Sequence, residues 1–321
     1  MDAFIFVQAA MELDWLAAGT TTKVRRSTRS YEKETQSMRV DVSIIVVTYK
    51  ERLDVLKNCF DSVAASQSVS YELIVVDNAA SDTTRGLLES YDNVTYLRNE
   101  SNRGFAAAVN RGMAVSQGRY VLLLNPDVRF EPDALASMLT HLDENGKVGI
   151  ASCVIQYPNG DLQESIRRFP TVADQLAIML KLPHVFKHLK SVERYMMRDK
   201  DPYKTQDVDS IMGAFMWIRR ELIEQIGFLD ERYFIWFEEV DYCKMAVDHN
   251  WLVRHYADVS IEHHKGHMFD QIGTVKKQKW VRESLRKYMD KHHGTKASLI
   301  FWILTPIFIA AGYLSAWIKG K

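Results

Sequence analysis

The most constraining feature of this sequence is a regular alternation of apolar, strand-like runs with segments of helical periodicity. VSIIVVT (42–48), YELIVVD (71–77) and VTYLRN (94–99) are rich in β-branched residues, as are strands buried on both faces of a parallel sheet. A fourth run, RYVLLLNPD (119–127), follows, and apolar residues recur at helical spacing between the runs. The pattern predicts an α/β fold with a mainly parallel sheet, in which ligands bind at the carboxyl ends of the strands.

Composition and spacing exclude several classes of protein. The chain holds 41 Lys and Arg and 41 Asp and Glu, and this balance argues against a general nucleic-acid binder. No two glycines have the spacing of the dinucleotide-binding or P-loop fingerprints, which argues against a dinucleotide-dependent oxidoreductase or a P-loop NTPase. Cys59, Cys153 and Cys243 lie far apart without metal-site spacing, so we expect free thiols rather than a disulfide framework.

The C-terminal part differs from the rest of the chain. Residues 276–321 carry ten basic and two acidic residues, and residues 299–318 form an uncharged run of twenty. About 20 apolar residues can span a bilayer and a polybasic flank attracts anionic lipid, so we predict a membrane-associated helical segment. A buried core helix is the alternative, and the sequence leaves open whether the segment spans the bilayer or lies in one leaflet. Residues 1–40 lack the features of a signal peptide and are predicted to be an N-terminal extension and linker.

Polar residues at the predicted strand ends form a candidate site. Asp77 ends the second strand, where a carboxylate can accept hydrogen bonds from a base or ribose, although a turn role is equally compatible. Asn102 and Gly104 lead into a helix of small residues, for which ordinary capping is the alternative. Asn125 and Asp127 follow the fourth strand. A carboxylate there suits a divalent cation that also binds substrate phosphates, and a plain β-turn is the alternative.

The segment FLDERYFIWFEEVDYC (228–243) combines acidic with aromatic residues. Glu238, Glu239 and Asp241 follow an aromatic run, and apolar surroundings raise the pKa of a carboxyl group, which suits a general base. A helix N-terminus that favours acids through its dipole is the alternative. His263, His264 and His267 follow further along the chain. Imidazole is a common metal ligand, so these histidines are candidate metal ligands, and a role as plain surface residues is the alternative.

Six segments, taken in order, resemble the family 2 glycosyltransferases of the GT-A fold, and among them the bacterial rhamnosyltransferase-like members. The segments are VSIIVVTYKE, ELIVVDNAASD, NRGFAAAVN, LLLNPDV, GAFMWIRRELIEQIGFLDERYFIWFEEVDYC and IEHHKG. The resemblance covers roughly residues 41–270. We therefore expect a nucleotide-sugar-binding half at 41–150, an acceptor-binding and catalytic half at 151–275, and a basic stretch with a membrane-associated tail at 276–321.

The resemblance implies a role for each matching residue. Asp127 would hold Mg²⁺ or Mn²⁺ against the diphosphate, although the first Asp of the family's DxD motif is Asn125 here. Similarity to bacterial galactofuranosyltransferases adds His263 as a metal ligand, with His264 as the fallback. Glu239 would be the base, with Glu238 beside it. The nucleotide would contact Thr48, Tyr49, Glu51, Asp77, Asn102, Gly104 and Asn125, and the acceptor and sugar pocket would include Gly213, Trp236 and Asp241.

The resemblance implies an inverting, metal-dependent glycosyltransferase. It would move a sugar, plausibly L-rhamnose, from a nucleotide-sugar donor to a lipid-linked or polysaccharide acceptor in cell-envelope glycan synthesis. Residues 171–206 would be an acceptor-side insertion or lid, and the enzyme would work at the cytoplasmic face of the inner membrane. Two rivals stay open at this point: a sugar nucleotidyltransferase and a non-catalytic scaffold subunit that binds nucleotide-sugars.

Overall fold

The structure, a computed structural model, describes residues 40–80, 82–186, 188–264 and 274–318. All but the last residue of the predicted extension at 1–40 lies outside the described residues, as does His267. The three cysteines are described, and all three are buried free thiols, as expected.

A nine-stranded sheet forms the centre of the described chain. The strands are β1 (Val42–Thr48), β2 (Tyr71–Asp77), β3 (Val94–Arg98), β4 (Tyr120–Leu124), β5 (Val128–Phe130), β6 (Val148–Gln156), β8 (Gln206–Asp207), β10 (Phe215–Arg219) and β11 (Leu252–His263). Their order is β3-β2-β1-β4-β10-β6-β11-β5, with β8 on β11. β1 to β4 pair in parallel, as do β6 and β11. A separate two-stranded sheet consists of β7 (Ile166–Arg167) and β9 (Ser210–Ile211).

Helices cover both faces of the large sheet, so the predicted α/β class with a mainly parallel sheet is confirmed. They are α1 (Leu53–Ala64), α2 (Asp82–Leu88), α3 (Phe105–Met113), α4 (Ala134–Glu144), α5 (Val172–Met179), α6 (Lys190–Tyr195), α7 (Arg220–Ile226), α8 (Glu238–Asp248), α9 (Thr274–His293), α10 (Thr295–Ile303) and α11 (Thr305–Ile318). Alternate residues of β1 enter two different cores. Ile44 and Val46 pack on one side, and Ile45 and Val47 on the other, as the period of two in a strand requires.

The centre of the sheet contains a strand from the second half of the chain. β10 lies antiparallel between β4 and β6, and its Trp217 is fully buried in the core. Trp217 therefore serves core packing. Only the residues just before β10, Gly213 and Ala214, reach the edge of the sheet where the predicted site lies.

A third apolar cluster joins the insertion to the C-terminal helices. Met179 of α5 packs with Leu285 and Tyr288 of α9 and with Phe301 and Phe308 of α10 and α11. The uncharged run 299–318 is divided between α10 and α11, which are separated at Leu304. Across residues 40–80, 82–186, 188–264 and 274–318, no helix has both the length and the apolar character needed to cross a bilayer.

Candidate active site

The predicted nucleotide-binding residues of β1 and β2 lie side by side at one edge of the sheet. Thr48 and Asp77 end these strands and are register partners. Both side chains are buried, and the hydroxyl of Thr48 has no hydrogen-bond partner in the protein. The Asp77 carboxylate accepts hydrogen bonds from the Ala79 amide at 2.8 Å and the Tyr96 hydroxyl at 2.7 Å. Asp77 is therefore held in place by the protein, and the contact of Thr48 and Asp77 with a nucleotide stays a prediction.

Glu51 is turned back toward this edge by the backbone of the loop after β1. Lys50 has a φ of 61°, and the Tyr49 amide donates a hydrogen bond to the Glu51 carboxylate. Burial, followed by the negative charges of Asp127 and Asp77, raises the pKa of Glu51 to about 7. Three carboxyl groups thus share this part of the site, an environment that favours the binding of a cation.

Asn102 and Gly104 connect the first half of the chain to the loop that precedes the acidic motif. Asn102 accepts a hydrogen bond from the Gly104 amide at 2.9 Å, and Phe105 donates one to the Phe234 carbonyl at 2.7 Å. Gly104 has a φ of 90°, and a Cβ there would lie 2.6 Å from the Phe234 oxygen. Only glycine fits this contact without strain. The structure therefore shows these two residues in a positioning role, and their contact with a nucleotide stays a prediction.

Asp127 and His263, the predicted metal ligands, lie together although 136 positions separate them. β5 pairs with β11 and sets His263 opposite Val128, which leaves 3.2 Å between the His263 Nε2 and an Asp127 carboxylate oxygen. The Nδ1 of His263 lies 2.6 Å from the side-chain oxygen of Gln163, and the Asn125 side-chain nitrogen is 3.2 Å from Nε2. If Nδ1 donates to Gln163, the lone pair of Nε2 faces Asp127 and Asn125.

The two adjacent glutamates begin helix α8. Trp236 and Phe237 precede them with φ values of 63° and 71°, a conformation that costs free energy in residues with a side chain. Burial raises the pKa of Glu239 to about 7. Burial and the charge of Glu239 raise the pKa of Glu238 well above its usual value. One oxygen of each carboxyl group has no hydrogen-bond partner in the protein. The two adjacent carboxyl groups therefore titrate as a coupled pair, and burial favours keeping a proton on the pair.

A short path links the Asp127–His263 pair to the glutamates. The Asn125 amide donates to the Ala214 carbonyl at 2.9 Å. A Cβ on the preceding residue, Gly213, would lie 3.5 Å from the Cβ of Glu239. Gly213 thus lies directly against the acidic motif, and its place in an acceptor pocket stays a prediction. The backbone at Asn125 and Gly213 connects the candidate cation ligands to the candidate base.

Side chains of helix α9 contact the acidic motif and the loop that precedes it. Lys291 Nζ lies 2.7 Å and His292 Nε2 lies 2.6 Å from the carboxylate of Asp241, which is fully buried, and Tyr233 donates to it at 3.3 Å. Ser284 of the same helix donates to the Ile235 carbonyl at 2.8 Å. Asp241 therefore lies in a buried ion-pair cluster, and its predicted place in an acceptor pocket stays a prediction. Trp236 is half-buried in the turn above.

Several residues of the site were not expected from the sequence. Gln163 is buried and holds His263, and Lys291 and His292 hold Asp241. Tyr195 of the insertion lies close enough to Glu239 for the carboxylate to contribute to its raised pKa of about 12, which is mainly an effect of burial. No sequence pattern marks Gln163. The run of basic residues around Lys291 was noticed, but only as a flank of the apolar segment.

Comparison with known proteins identifies the family. The profile of "Glycosyl transferase family 2" matches residues 43–227, more than half of the chain. A low-salt glycan biosynthesis hexosyltransferase of Haloferax volcanii is 28% identical over 219 residues, which cover 67% of this chain and 64% of that protein. The chain thus spans just under two thirds of the length of this relative. An N-acetylglucosaminyl-diphospho-decaprenol L-rhamnosyltransferase of Mycobacterium tuberculosis is 27% identical over 255 residues, 76% of this chain and 82% of the relative.

Solved structures support the fold. A mannosyltransferase of Pyrobaculum calidifontis, solved with GDP-Man and Mn²⁺, superposes with a TM-score of 0.54 at 18% identity, over 89% of this chain and 77% of its own. GalNAc-T7, solved with UDP, GalNAc and Mn²⁺, gives the same score at 15% identity, over 70% of this chain and 44% of its own. At these identities the likeness concerns the fold alone. With the sheet, the strand-end carboxylates and the family profile in agreement, the chain belongs to glycosyl transferase family 2.

Proposed function

We propose that this protein is an inverting glycosyltransferase that uses a divalent metal, Mg²⁺ or Mn²⁺, and a nucleotide-sugar donor. The observation that carries the proposal is the joining of the Asp127–His263 pair to Glu239 through Gly213 and Ala214. A donor diphosphate held at the pair would place its sugar toward the glutamate. A single base and a cation site are sufficient for one displacement with inversion.

The residues present fit a metal. With Nδ1 of His263 donating to Gln163, a histidine lone pair and a carboxylate oxygen lie 3.2 Å apart without a proton between them. Two ligands of one octahedral ion, each at about 2.1 Å, lie about 3 Å from each other. In the described residues no group of three or more His, Cys, Asp or Glu side chains forms a metal site. Asp127 and His263 would supply two ligands and leave the other positions of an octahedral ion to substrate phosphates and waters.

Glu239 would act as the general base. Its pKa of about 7 leaves a substantial fraction ionised at neutral pH, and it is basic enough to accept the proton of an acceptor hydroxyl as that oxygen attacks the anomeric carbon. Glu238 would stay protonated beside it because its pKa is higher. Asp127 and His263 would hold the metal, which supplies positive charge against the departing diphosphate. Thr48 and Glu51 would contact the nucleotide.

The names of relatives suggest the substrates. The Mycobacterium tuberculosis relative is named for L-rhamnosyl transfer to a diphospho-decaprenol sugar. A further relative from Escherichia coli K12 is named a rhamnosyltransferase, at 21% identity. These names support L-rhamnose as the sugar and a lipid-linked or polysaccharide acceptor in cell-envelope glycan synthesis. We also propose that the basic and apolar C-terminal segment brings the enzyme to the cytoplasmic face of the inner membrane, where such an acceptor would be anchored.

A donor screen with a variant at the cation site tests the proposal. Purified protein with Mn²⁺ is mixed with UDP-, dTDP- and GDP-sugars, and the shift in melting temperature and the slow hydrolysis of each donor are recorded. We expect one responding donor, with the response lost in EDTA and in Asp127→Ala. Asp133→Ala, which removes an exposed carboxylate six positions away, is the matched control and should respond normally. Equal binding by Asp127→Ala would refute the cation site. Pyrophosphate release from an NTP and a sugar phosphate would instead indicate a nucleotidyltransferase.

A further inference from the structure

The insertion and the C-terminal helices form one helical layer, although more than 90 residues separate α5 from α9. Met179, Leu176 and Ile178 of α5 pack in the same apolar cluster as Phe301, Leu304 and Phe308. This cluster also contains Tyr233, which precedes the acidic motif, and Val240, which lies within it. The layer therefore packs against the segment that carries the candidate base.

The outer residues of this layer are unusually apolar. Helix α10 buries Ala297 and Phe301 and yet exposes large apolar side chains on its remaining faces. When such a helix lies at the surface of a protein in water, part of its apolar surface stays exposed to the solvent. The exposed set on α10 and α11 is Leu299, Ile300, Trp302, Ile303, Ile307 and Ile309, each 40 to 58% exposed.

A second exposed apolar element belongs to the insertion. The short 3₁₀ turn Leu182–His184 follows α5 closely and is followed by Val185 and Phe186, which are 74% and 56% exposed. Eight of the fourteen large apolar side chains that are exposed in the described chain lie in this turn or in α10 and α11. One of these segments, α10 with α11, packs in the same apolar cluster as α5, and the other follows α5 directly in the chain.

Charge indicates what covers these residues. Residues 180–190 contain three lysines, two histidines and no acidic residue, and residues 276–296 contain eight Lys or Arg and two acidic residues. Apolar side chains between basic residues are the combination that binds the headgroup region of an anionic bilayer. A protein partner or a second copy of the chain would need complementary acids around an apolar patch.

We propose that the turn at 182–186 is a second lipid-contacting element, which inserts Val185 and Phe186 into an anionic lipid surface beside α10 and α11. The inference extends the proposed function, since it assigns membrane contact to the insertion as well as to the tail. The insertion also packs, through Met179, in the cluster that contains Val240, the residue after Glu239. Contact of this segment with lipid would bring the acceptor side of the active site to the bilayer surface, where a lipid-linked acceptor would be found.

Vesicle flotation of the full chain tests the inference. Vesicles of phosphatidylcholine alone are compared with vesicles that contain phosphatidylglycerol, and the variant Val185→Ser/Phe186→Ser is compared with the unmodified chain. We expect the unmodified chain to prefer anionic vesicles, and the variant to bind them about tenfold more weakly, because partial insertion of a valine and a phenylalanine is lost. Val115→Ser/Phe228→Ser removes one valine and one phenylalanine, each 43% exposed, from outside this layer and should bind like the unmodified chain.

The outcomes separate this inference from the proposed function. Equal vesicle binding by the turn variant and the unmodified chain would overturn the role of the turn. An unmodified chain that does not float with any vesicle, or that forms dimers broken by the turn variant in light scattering, would overturn the lipid surface as a whole. Donor-dependent thermal shift and donor hydrolysis need no lipid. They should be the same in all these variants if the glycosyltransferase proposal is correct, and a failure there would count against that proposal alone.

Discussion

Replacing Lys291 by methionine tests whether helix α9 holds the acidic motif in place. The substitution keeps the length of the side chain but removes the charge that lies 2.7 Å from the Asp241 carboxylate. Asp241 is fully buried, whereas the Lys291 side chain is a quarter exposed, and His292 and Tyr233 remain as partners of the carboxylate. Removing one partner from a buried ion pair costs about 3 to 5 kcal/mol, and we expect the lower end here because part of the pair is solvated.

The expected loss in the free energy of unfolding is therefore about 3 kcal/mol. In a protein of this size that corresponds to a fall in melting temperature of roughly 4 to 5 °C. The measurement is urea and thermal denaturation at pH 7, followed by steady-state kinetics. Because Asp241 lies two residues beyond Glu239 on the same helix, we expect kcat to fall more than donor affinity.

Lys279→Met is the matched control on the same helix. Lys279 is 69% exposed and lies 3.8 Å from Glu283, and such a surface pair contributes about 0.5 kcal/mol or less. If the two variants were equally stable, the reasoning would fail, since Asp241 would then not need Lys291. If Lys291→Met lowered stability but left kcat unchanged, the cluster would serve the fold and not the position of the base.

Three further predictions concern the site. Glu239→Gln should lower turnover about a thousandfold with donor binding intact, and should abolish a rise in rate with pH through about 7 that the unmodified enzyme shows. Glu51 has a folded pKa of about 7, above its usual 4.5, so its stabilising contribution is present below pH 4.5 and lost as pH rises to 7. Glu51→Gln should hence raise the free energy of unfolding at pH 8 by about 2 kcal/mol in urea titrations, and a lower value would contradict the burial argument. Gly104→Ala should lower the free energy of unfolding by about 2 kcal/mol because of the positive φ and the Phe234 contact. Gly86 lies within α2 with open space around it, so Gly86→Ala should raise the free energy of unfolding slightly.

The sequence predicted those parts of the fold in which the local residue pattern determines the secondary structure. The runs 42–48 and 71–77 became strands with the predicted bounds, because continuous β-branched residues fit a buried parallel strand and little else. The pairing of Asp127 with His263 was predicted only through the family resemblance, and the structure brings the two together by pairing β5 with β11.

Long-range pairing explains what the sequence did not predict. FMWIR at 215–219 is too short for its periodicity to distinguish a strand from a helix, and nothing local indicates insertion between β4 and β6. The role of α9 was missed for a similar reason. Its basic residues were noticed as one charged run, but Lys291 and His292 turn toward a buried carboxylate about 50 positions earlier in the chain. Long-range packing decides which carboxylate a basic residue pairs with, and a short stretch of sequence does not reveal that packing.

The place of β10 in the sheet has a consequence for how this chain can be divided. The strand comes from the second half of the sequence, yet it fills the position next to β4, the last strand of the parallel group formed by the first half. A fragment that ended near residue 150 would keep its parallel core but expose the backbone of β4 as an unpaired edge, which invites aggregation. The two halves are therefore better regarded as complementary pieces of one folding unit, suited to reconstitution from two fragments but not to exchange between relatives as independent modules.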